Sequence, residues 1–557
     1  MKKSYLFFLI LICPILVLAQ KTSNGIKITY QKSSNGKVIE NQDPLILFSS
    51  EKMGWLSTEK IIANTAVFPF EQNYIDFQNL KWYQKSNLAI AKKILTIDST
   101  SIAKHNFEFL PETKIILGYL CQKAKTIINS NTIEIWFTKE LPYKGAPTIL
   151  GQHLGLVLEL NRNGNFQILA TKIEKLKGIP EQFSLPKKEE KVVDLLTYKD
   201  ILWKNRFQTI SVFEKEIINF SGDSKSNDSI LRFANGTIIV RKVRFPKLKK
   251  GDQLFVAVSE QSNGDAYDRT GSVFLIPTTC PISFLDGLEK GISALPIYEN
   301  GNSKKYQGVS RTPDFEPLLE LMRFFTPFGV KKYNTLQLKN KVWQDSVYYR
   351  QDITELASEL NNREVYIGMN IGNYDKGGHK VSLDFTIHHE EIESKSYWSL
   401  PLFNTNNVME MAGQEYGTMF NNEQGLVVNF NLSKPMKNAR LRYITTGHGG
   451  WENGDEYLQK KNTIKLDEKV VFAFVPWRQD CGSYRLSNPA SGNFENGLSS
   501  SDYSRSNWCP GTVTNPIFID LGNLSEGNHS IRVQIPQGEN EGSSFSSWNV
   551  SGVLIGE

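Results

Sequence analysis

The sequence predicts a mainly β protein built from antiparallel sandwiches, with a β-rich domain at its N-terminal end. Three observations carry this. Short buried or alternating apolar runs recur along the whole chain, bounded by Gly, Pro and Asn turns. Aromatic residues, 32 Phe, 21 Tyr and 10 Trp, are plentiful and suit pleated surfaces. No solenoid-period repeat and no low-complexity tract interrupts the pattern.

At 557 residues the chain has room for three or four domains. Hydrophobic content of 40% against 22% charged residues is ordinary for a globular protein and argues against long disorder. The formal net charge of +6 is modest, and no long Lys/Arg run occurs. Nucleic acid is therefore not an expected partner.

Residues 1–19 have the form of a secretory signal. Lys2 and Lys3 precede a mainly apolar run over 5–19, which ends Val-Leu-Ala before Gln20. Cleavage is expected after Ala19, and Cys13, with Pro14 behind it, belongs to the signal. No second apolar run of spanning length follows, so a soluble exported protein is expected.

Residues 20–217 form the expected first domain. Alternating runs over 133–137 and 154–160 read as strands, with a turn at 144–147 between them. The stretch 198–215 carries Ile201, Leu202, Phe207, Ile210 and Phe213 at helix-like spacing and would close the domain. A polar stretch over 218–229 is the clearest linker. Beyond it, strands are expected over 237–240, 253–258, 272–276, 381–387 and 530–535. A second boundary near 390–395 divides 230–394 from 395–557.

Four cysteines remain after signal removal: Cys121, Cys280, Cys481 and Cys509. Cys481 and Cys509 flank a loop rich in Ser, Asn, Gly and Tyr with no apolar periodicity of its own. In an oxidising compartment these two are expected to pair, which contributes roughly 3–4 kcal/mol in the chain-entropy model. Cys121 and Cys280 are expected as buried thiols.

Three stretches concentrate chemistry. The loop from Thr446 holds His448, Trp451, Glu452, Asp455 and Glu456 among four glycines, and taken alone it is an ordinary solvated turn or weak cation site. The stretch 262–274 holds Asp265, Tyr267, Asp268 and Arg269 at the entry to a strand. Its bland reading is an Asx-turn with a surface ion pair. The stretch 502–511 sets Arg505 and Trp508 beside Cys509, where a tryptophan is often core packing.

These stretches, with Arg-Phe-Phe-Thr-Pro-Phe-Gly-Val at 323–330, resemble the flavobacterial peptide-N-glycosidase F family. The matching motifs are Asp265-Ala-Tyr-Asp-Arg269, Gly454-Asp-Glu-Tyr457 and Asn507-Trp-Cys-Pro-Gly511. They come in the family's order and approximate spacing over about 230–557. The resemblance implies two side-by-side eight-stranded jelly rolls with the active site in the cleft between them. It implies hydrolysis of the amide joining asparagine to the first N-acetylglucosamine of N-linked glycans. The products would be an aspartyl peptide and a glycosylamine that loses ammonia. Asp268 falls on the principal catalytic carboxylate, Arg269 on its neighbouring arginine, and Glu456 on the second acidic residue. Arg505 and Trp508 fall on wall residues of the second roll. Asp265, Tyr267, His448 and Trp451 are further expected substrate-binding residues, as is Tyr374, which stands where the family has a tryptophan. Of the other two loop carboxylates, Glu452 is expected to face solvent and Asp455 to support the turn.

The resemblance also implies N-glycosylated proteins and glycopeptides as partners, no cofactor, a monomer, and secretion or periplasmic or surface location in a Gram-negative bacterium. Parts of 118–160 resemble the Gly-Leu-Pro-Gly-Leu-Ile family of exported bacterial proteins, which implies no catalysis for the first domain. Two features depart from the pattern. The family's third acidic residue has no counterpart near Tyr374, and Gly454 and Leu458 stand where cysteines would flank Glu456.

Rival readings are thinner. The seven histidines (His105, His153, His379, His388, His389, His448 and His529) show no HxH or HExxH spacing, so no metal is expected. No G-x-S-x-G elbow is present. A non-catalytic glycan-binding protein on the same scaffold is the alternative from another class.

Overall fold

A computed structural model describes residues 25–40, 42–177, 184–186, 191–329, 339–389, 396–449, 454–489, 500–539 and 546–557. The expected signal over 1–19, the boundary at 390–395, Trp451 and Glu452 lie outside the described residues. The chain divides into two compact units, Met1–Arg206 and Phe207–Glu557.

The first unit is built on one antiparallel sheet of 12 strands. Its centre is Gly25–Ser34, paired with Phe166–Leu176 on one side and Leu45–Ser49 on the other. Ile26, Ile28, Tyr30, Leu47, Leu156 and Leu158 form the buried core over it. The two strands expected near 135 and 157 are Asn131–Thr138 and Leu156–Arg162, and they pair with each other. Helix Leu195–Lys204 begins at Asp194, whose side chain accepts from the Thr197 N–H at 3.0 Å. It buries Tyr198 and Leu202 against Leu88 and Ile94.

The helix expected over 198–215 stops at Lys204, and Gln208–Ile218 is a strand. Its pairing with His379–His389 carries register shifts around Phe213. These bulges break the period-two alternation and leave Val212 and Phe213 both buried, which gives an apolar spacing that imitates a helix. Because this strand belongs to the second unit, the units part ahead of the polar stretch 218–229.

The second unit holds two antiparallel sandwiches. In the first, the four strands Gln208–Ile218, His379–His389, Asp252–Ser262 and Val347–Asp352 face a six-stranded sheet. That sheet runs Leu231–Phe233, Ile238–Arg244, Glu364–Ile371, Thr270–Ile276, Leu319–Phe325 and Val513–Thr514. Val256, Val258, Leu321, Ile367, Leu383 and Phe385 fill the space between. The second sandwich has the eight strands expected, in two sheets of four, around Leu402, Phe430, Tyr443, Ile464, Ile531 and Trp548. The first roll exceeds eight by two described strands: Gln208–Ile218, which lies ahead of the expected start at 230, and Val513–Thr514, which comes from a second-roll loop and joins the sheet beside Arg323 and Phe324.

That shared strand belongs to a polar seam between the rolls. Arg323 and Glu320 are both fully buried and meet in a two-pronged ion pair, Nε–Oε1 3.0 Å and Nη2–Oε2 2.8 Å. Arg323 also donates to Thr446 Oγ1 (3.0 Å) and the Asn549 carbonyl (2.7 Å) in the second roll. Glu320 accepts from Ser272, Asn406 and Ser551. Burial opposes ionisation of Glu320, but Arg323 and these donors hold its carboxyl below the ordinary value. Arg442 returns the link by donating to the Glu320 and Leu321 carbonyls. Removing one partner strands a buried charge, so Arg323→Met is expected to lower unfolding free energy by roughly 3–5 kcal/mol, read by urea denaturation.

Cys481 and Cys509 form the expected disulfide. Cys121 is a buried free thiol, whereas Cys280 is only half-buried, midway along the connection between the strand Thr270–Ile276 and the helix Phe284–Lys290. Among the described residues no helix is long and apolar enough to cross a membrane.

Candidate active site

The loop that carries Asp268 is tied down at both ends. Ser262 Oγ donates to the Asp265 carbonyl, and the Asn263 N–H donates to the Gly378 carbonyl at 2.8 Å. At its far end the Arg269 N–H donates to Thr326 Oγ1 (2.8 Å), and the Thr326 N–H returns to the Arg269 carbonyl (2.9 Å). Thr326 Oγ1 in turn donates to the Tyr267 carbonyl. The segment 326–329 is itself held by the second roll, since Phe328 N–H donates to Asn488 Oδ1 at 2.6 Å. Asn488 donates to the Tyr484 and Pro510 carbonyls, on either side of the disulfide.

Glu456 comes from the opposite roll. Its turn is built on Asp455, which is fully buried and accepts from Trp548 Nε1 at 2.8 Å and from the Gly538 N–H. Asp455 therefore has the structural part expected of it. The Glu456 carbonyl accepts from the Ser506 N–H at 2.9 Å, which docks the turn on the stretch bearing Arg505.

Arg505 joins the two acids. Its Nη2 lies 3.2 Å from Asp268 Oδ2, and its Nη1 contacts Glu456 Oε1. One guanidinium, 1% exposed, thus spans carboxylates from both rolls. Its face rests on the Trp508 ring, 4.3 Å from the centroid, with the Tyr457 ring at 5.2 Å. Trp508 is buried, stacked on Phe325 at 4.2 Å, and donates from Nε1 to the Gly447 carbonyl. The expected wall tryptophan is a floor under Arg505 rather than an open sugar platform.

Both carboxyls are pushed up. Burial is the main cause for each, and the pull of Arg505 only partly offsets it. Glu456 rises to about 7, helped by the nearby Asp268 charge. Both carboxyls therefore hold a proton more readily than free carboxylates do, with Arg505 lying between them. That is the equipment of general acid–base chemistry, with a fixed cation for developing negative charge.

The exposed part of the site is aromatic. Tyr267 is 58% and Tyr374 59% exposed, and the Arg269 guanidinium lies 5.0 and 5.6 Å from their ring centroids. Tyr374 Oη donates to Glu410 Oε1 at 3.2 Å, so a carboxylate does reach this surface, from a loop of the second roll. Asp265 is not the surface partner of the bland reading. It is 3% exposed, and its oxygens accept from Arg269 Nε (2.7 Å) and Nη2 (3.2 Å) and from His379 Nε2 (3.2 Å). His448 Nε2 lies 2.8 Å from Thr446 Oγ1, which also accepts from Arg323. Burial and the Arg323 and Arg505 charges drive His448 down to about 3, so it is a neutral ring.

His379, Glu260, Tyr457 and Thr326 escaped the sequence reading. Tyr457 follows Glu456 directly and shares a hydrogen bond with it. Its position inside the Gly454–Tyr457 motif was the available signal. His379 heads the alternating run over 381–387, and nothing local marks its partners.

Two family models cover the second unit: "Peptide-N-glycosidase F, N terminal" over residues 209–387 and "Peptide-N-glycosidase F, C terminal" over 415–555. The chain belongs to the peptide-N-glycosidase F family. The first unit matches "N-glycanase peptide, N-terminal domain" over 28–200. Two solved structures of PNGF-II are 54% identical to the chain and cover 96% of it. In the C2 crystal form the TM-score is 0.90, with 98% of that chain covered; in the P21 form it is 0.92, with 99% covered. No curated protein matches. Family membership and fold together support a glycoamidase.

Proposed function

We propose that the protein hydrolyses the amide between asparagine and the first N-acetylglucosamine of N-linked glycans on glycoproteins and glycopeptides. The products are an aspartyl peptide and a glycosylamine, which loses ammonia to give free glycan. The observation that carries this reading is the single buried Arg505 spanning Asp268 of one roll and Glu456 of the other.

An amide resists water because its carbonyl is a poor electrophile and its nitrogen a poor leaving group. A carboxyl that holds a proton at neutral pH can protonate nitrogen, and a carboxylate beside it can activate or orient water. Asp268 takes the principal acid/base or nucleophilic role, and Glu456 positions its partner. Arg505 faces the charge that develops on oxygen. Tyr267, Arg269 and Tyr374 offer ring faces and donors to the sugar. Export after loss of residues 1–19, and action as a monomer, complete the proposal.

The test is incubation with a denatured N-glycoprotein, reading released glycan and the Asn-to-Asp conversion of the peptide in heavy-oxygen water by mass spectrometry. Release by the wild-type protein, lost in Asp268→Asn, is expected. Binding of glycopeptide without release would favour a glycan-binding protein instead.

A further inference from the structure

A line of buried charges runs behind the Asp268 loop. Glu260 sits on the strand Asp252–Ser262 and His379 opens the neighbouring strand His379–His389. His379 Nδ1 lies 2.8 Å from Glu260 Oε1, and His379 Nε2 lies 3.2 Å from Asp265 Oδ2. All three side chains are essentially removed from solvent. Asp265 carries the line on to Arg269 through its contacts at 2.7 and 3.2 Å. The order Glu260–His379–Asp265–Arg269 alternates negative and positive.

Each ring nitrogen of His379 faces a carboxylate oxygen, and a carboxylate can only accept. Both nitrogens must therefore carry hydrogen, which makes the ring an imidazolium. A neutral ring would leave one of the two buried carboxylates facing a bare ring nitrogen.

We propose that His379 is a positioning residue for the reaction, a buried imidazolium that bridges Glu260 and Asp265 and thereby fixes Arg269 and the loop presenting Asp268. The assignment rests on the glycoamidase reading of the site. Asp265 has no freedom of its own. It accepts from Arg269 and from the Tyr267 N–H at 3.3 Å, and its N–H leads back to Gly378, next to His379. The Arg269 guanidinium lies beside the two exposed tyrosine rings and one residue from Asp268. Releasing it would blur the sugar-facing surface and the carboxylate together, and small misplacements of reacting groups are costly.

The other groups facing the ring agree with this charge state. Across the sheet on the strand Gln208–Ile218 its partner is the apolar Ile218. On Val347–Asp352, the Tyr349 hydroxyl lies 3.5 Å from Glu260 Oε2 and donates to the Phe325 carbonyl. Burial alone would depress the ring, but hydrogen bonds and charge from Asp265 and Glu260 raise it to about 9. The same contacts outweigh burial at Asp265 and hold it at about 2. A group raised from 6.5 to about 9 stabilises the fold fully below its ordinary value, and that contribution is lost as pH rises through about 9.

Two measurements decide the proposal. Nitrogen NMR of histidine-labelled wild-type protein should show a buried histidine with both nitrogens protonated at neutral pH and still charged at mildly alkaline pH, distinct from the more exposed His529, which also faces two acceptors. The His379→Gln variant should identify it by losing that signal. His379→Gln should also lower kcat for glycan release about tenfold or more, and the wild-type fall in activity on the alkaline side, near pH 9, should vanish. A merely structural role would lower the melting temperature and leave the shape of the pH profile intact, which overturns the proposal. A neutral His379 at neutral pH overturns it as well, and with the signal assigned through the spectrum of the wild-type protein this outcome needs no variant to fold. Failure of the wild-type protein to release any glycan strikes the glycoamidase reading, which the NMR result does not depend on.

Discussion

Replacing Arg505 by methionine is expected to lower glycan release by about a hundredfold or more, the scale found when one preorganised stabiliser of developing charge is removed. The methionine keeps an apolar stem over Trp508, so the loss isolates the guanidinium. Its second consequence is thermodynamic. Arg505 is the shared counter-charge of Asp268 and Glu456, and without it two largely buried carboxyls face each other. Breaking such a buried pair costs roughly 3–5 kcal/mol at neutral pH. Because Arg505 pulls both groups down, its removal raises them further above their ordinary values. The protonated forms then favour the folded state, so the deficit should shrink as pH falls and widen as it rises. Urea denaturation at neutral and mildly acid pH measures both. Arg505→Lys keeps the charge but cannot fork between two acids, so it should recover stability better than activity. Wild-type release by Arg505→Met would remove this arginine from the chemistry.

What the sequence revealed of the site was local. Asp268 with Arg269, Glu456 and Arg505 each lie in a short motif, and the sandwiches follow from alternation that survives in single strands such as His379–His389. What it did not reveal depends on chain segments meeting. Arg505 was expected as a wall residue, and its bridging of two rolls exists only because the Ser506 N–H docks on the Glu456 turn and Phe328 docks on Asn488. Trp508 is expected from the resemblance as a wall residue, but Phe325 stacks on it and Arg505 lies over its ring, so it is packed rather than presented. Glu320–Arg323 reads as two charges within an apolar strand, and only the seam between the rolls explains them. The helix expected over 198–215 extends past Lys204 into the strand Gln208–Ile218 because bulges there shift the apolar spacing from two toward three.

The two acids should separate cleanly under isosteric substitution. Asp268→Asn removes the charge and keeps the shape, and glycan release should fall by about 10²–10⁴-fold if Asp268 handles the proton or attacks directly. Stability should change little, because the lost carboxylate was already disfavoured by burial and Arg505 retains Glu456. Glu456 itself should titrate lower in this variant, since the Asp268 charge contributes to holding it at about 7. Carboxyl-carbon NMR reads that shift. In Glu456→Gln the effect lies on the pH axis. A carboxyl raised from 4.5 to about 7 favours folding while protonated, and that contribution is lost as pH rises across this interval. The wild-type protein should therefore lose stability between these values, and Glu456→Gln, which cannot ionise, should flatten the curve. If the Glu456 proton serves the reaction, the fall in kcat/KM above pH 7 should disappear in the variant along with most of the rate. Near-wild-type release by Asp268→Asn, or an unchanged fall above neutrality in Glu456→Gln, would assign the proton to a different group. Tyr457, the neighbour that shares a hydrogen bond with Glu456, is the alternative donor in the first case only, because burial and the Glu456 charge raise its hydroxyl and keep it protonated through the whole range, so it does not produce a fall above neutrality.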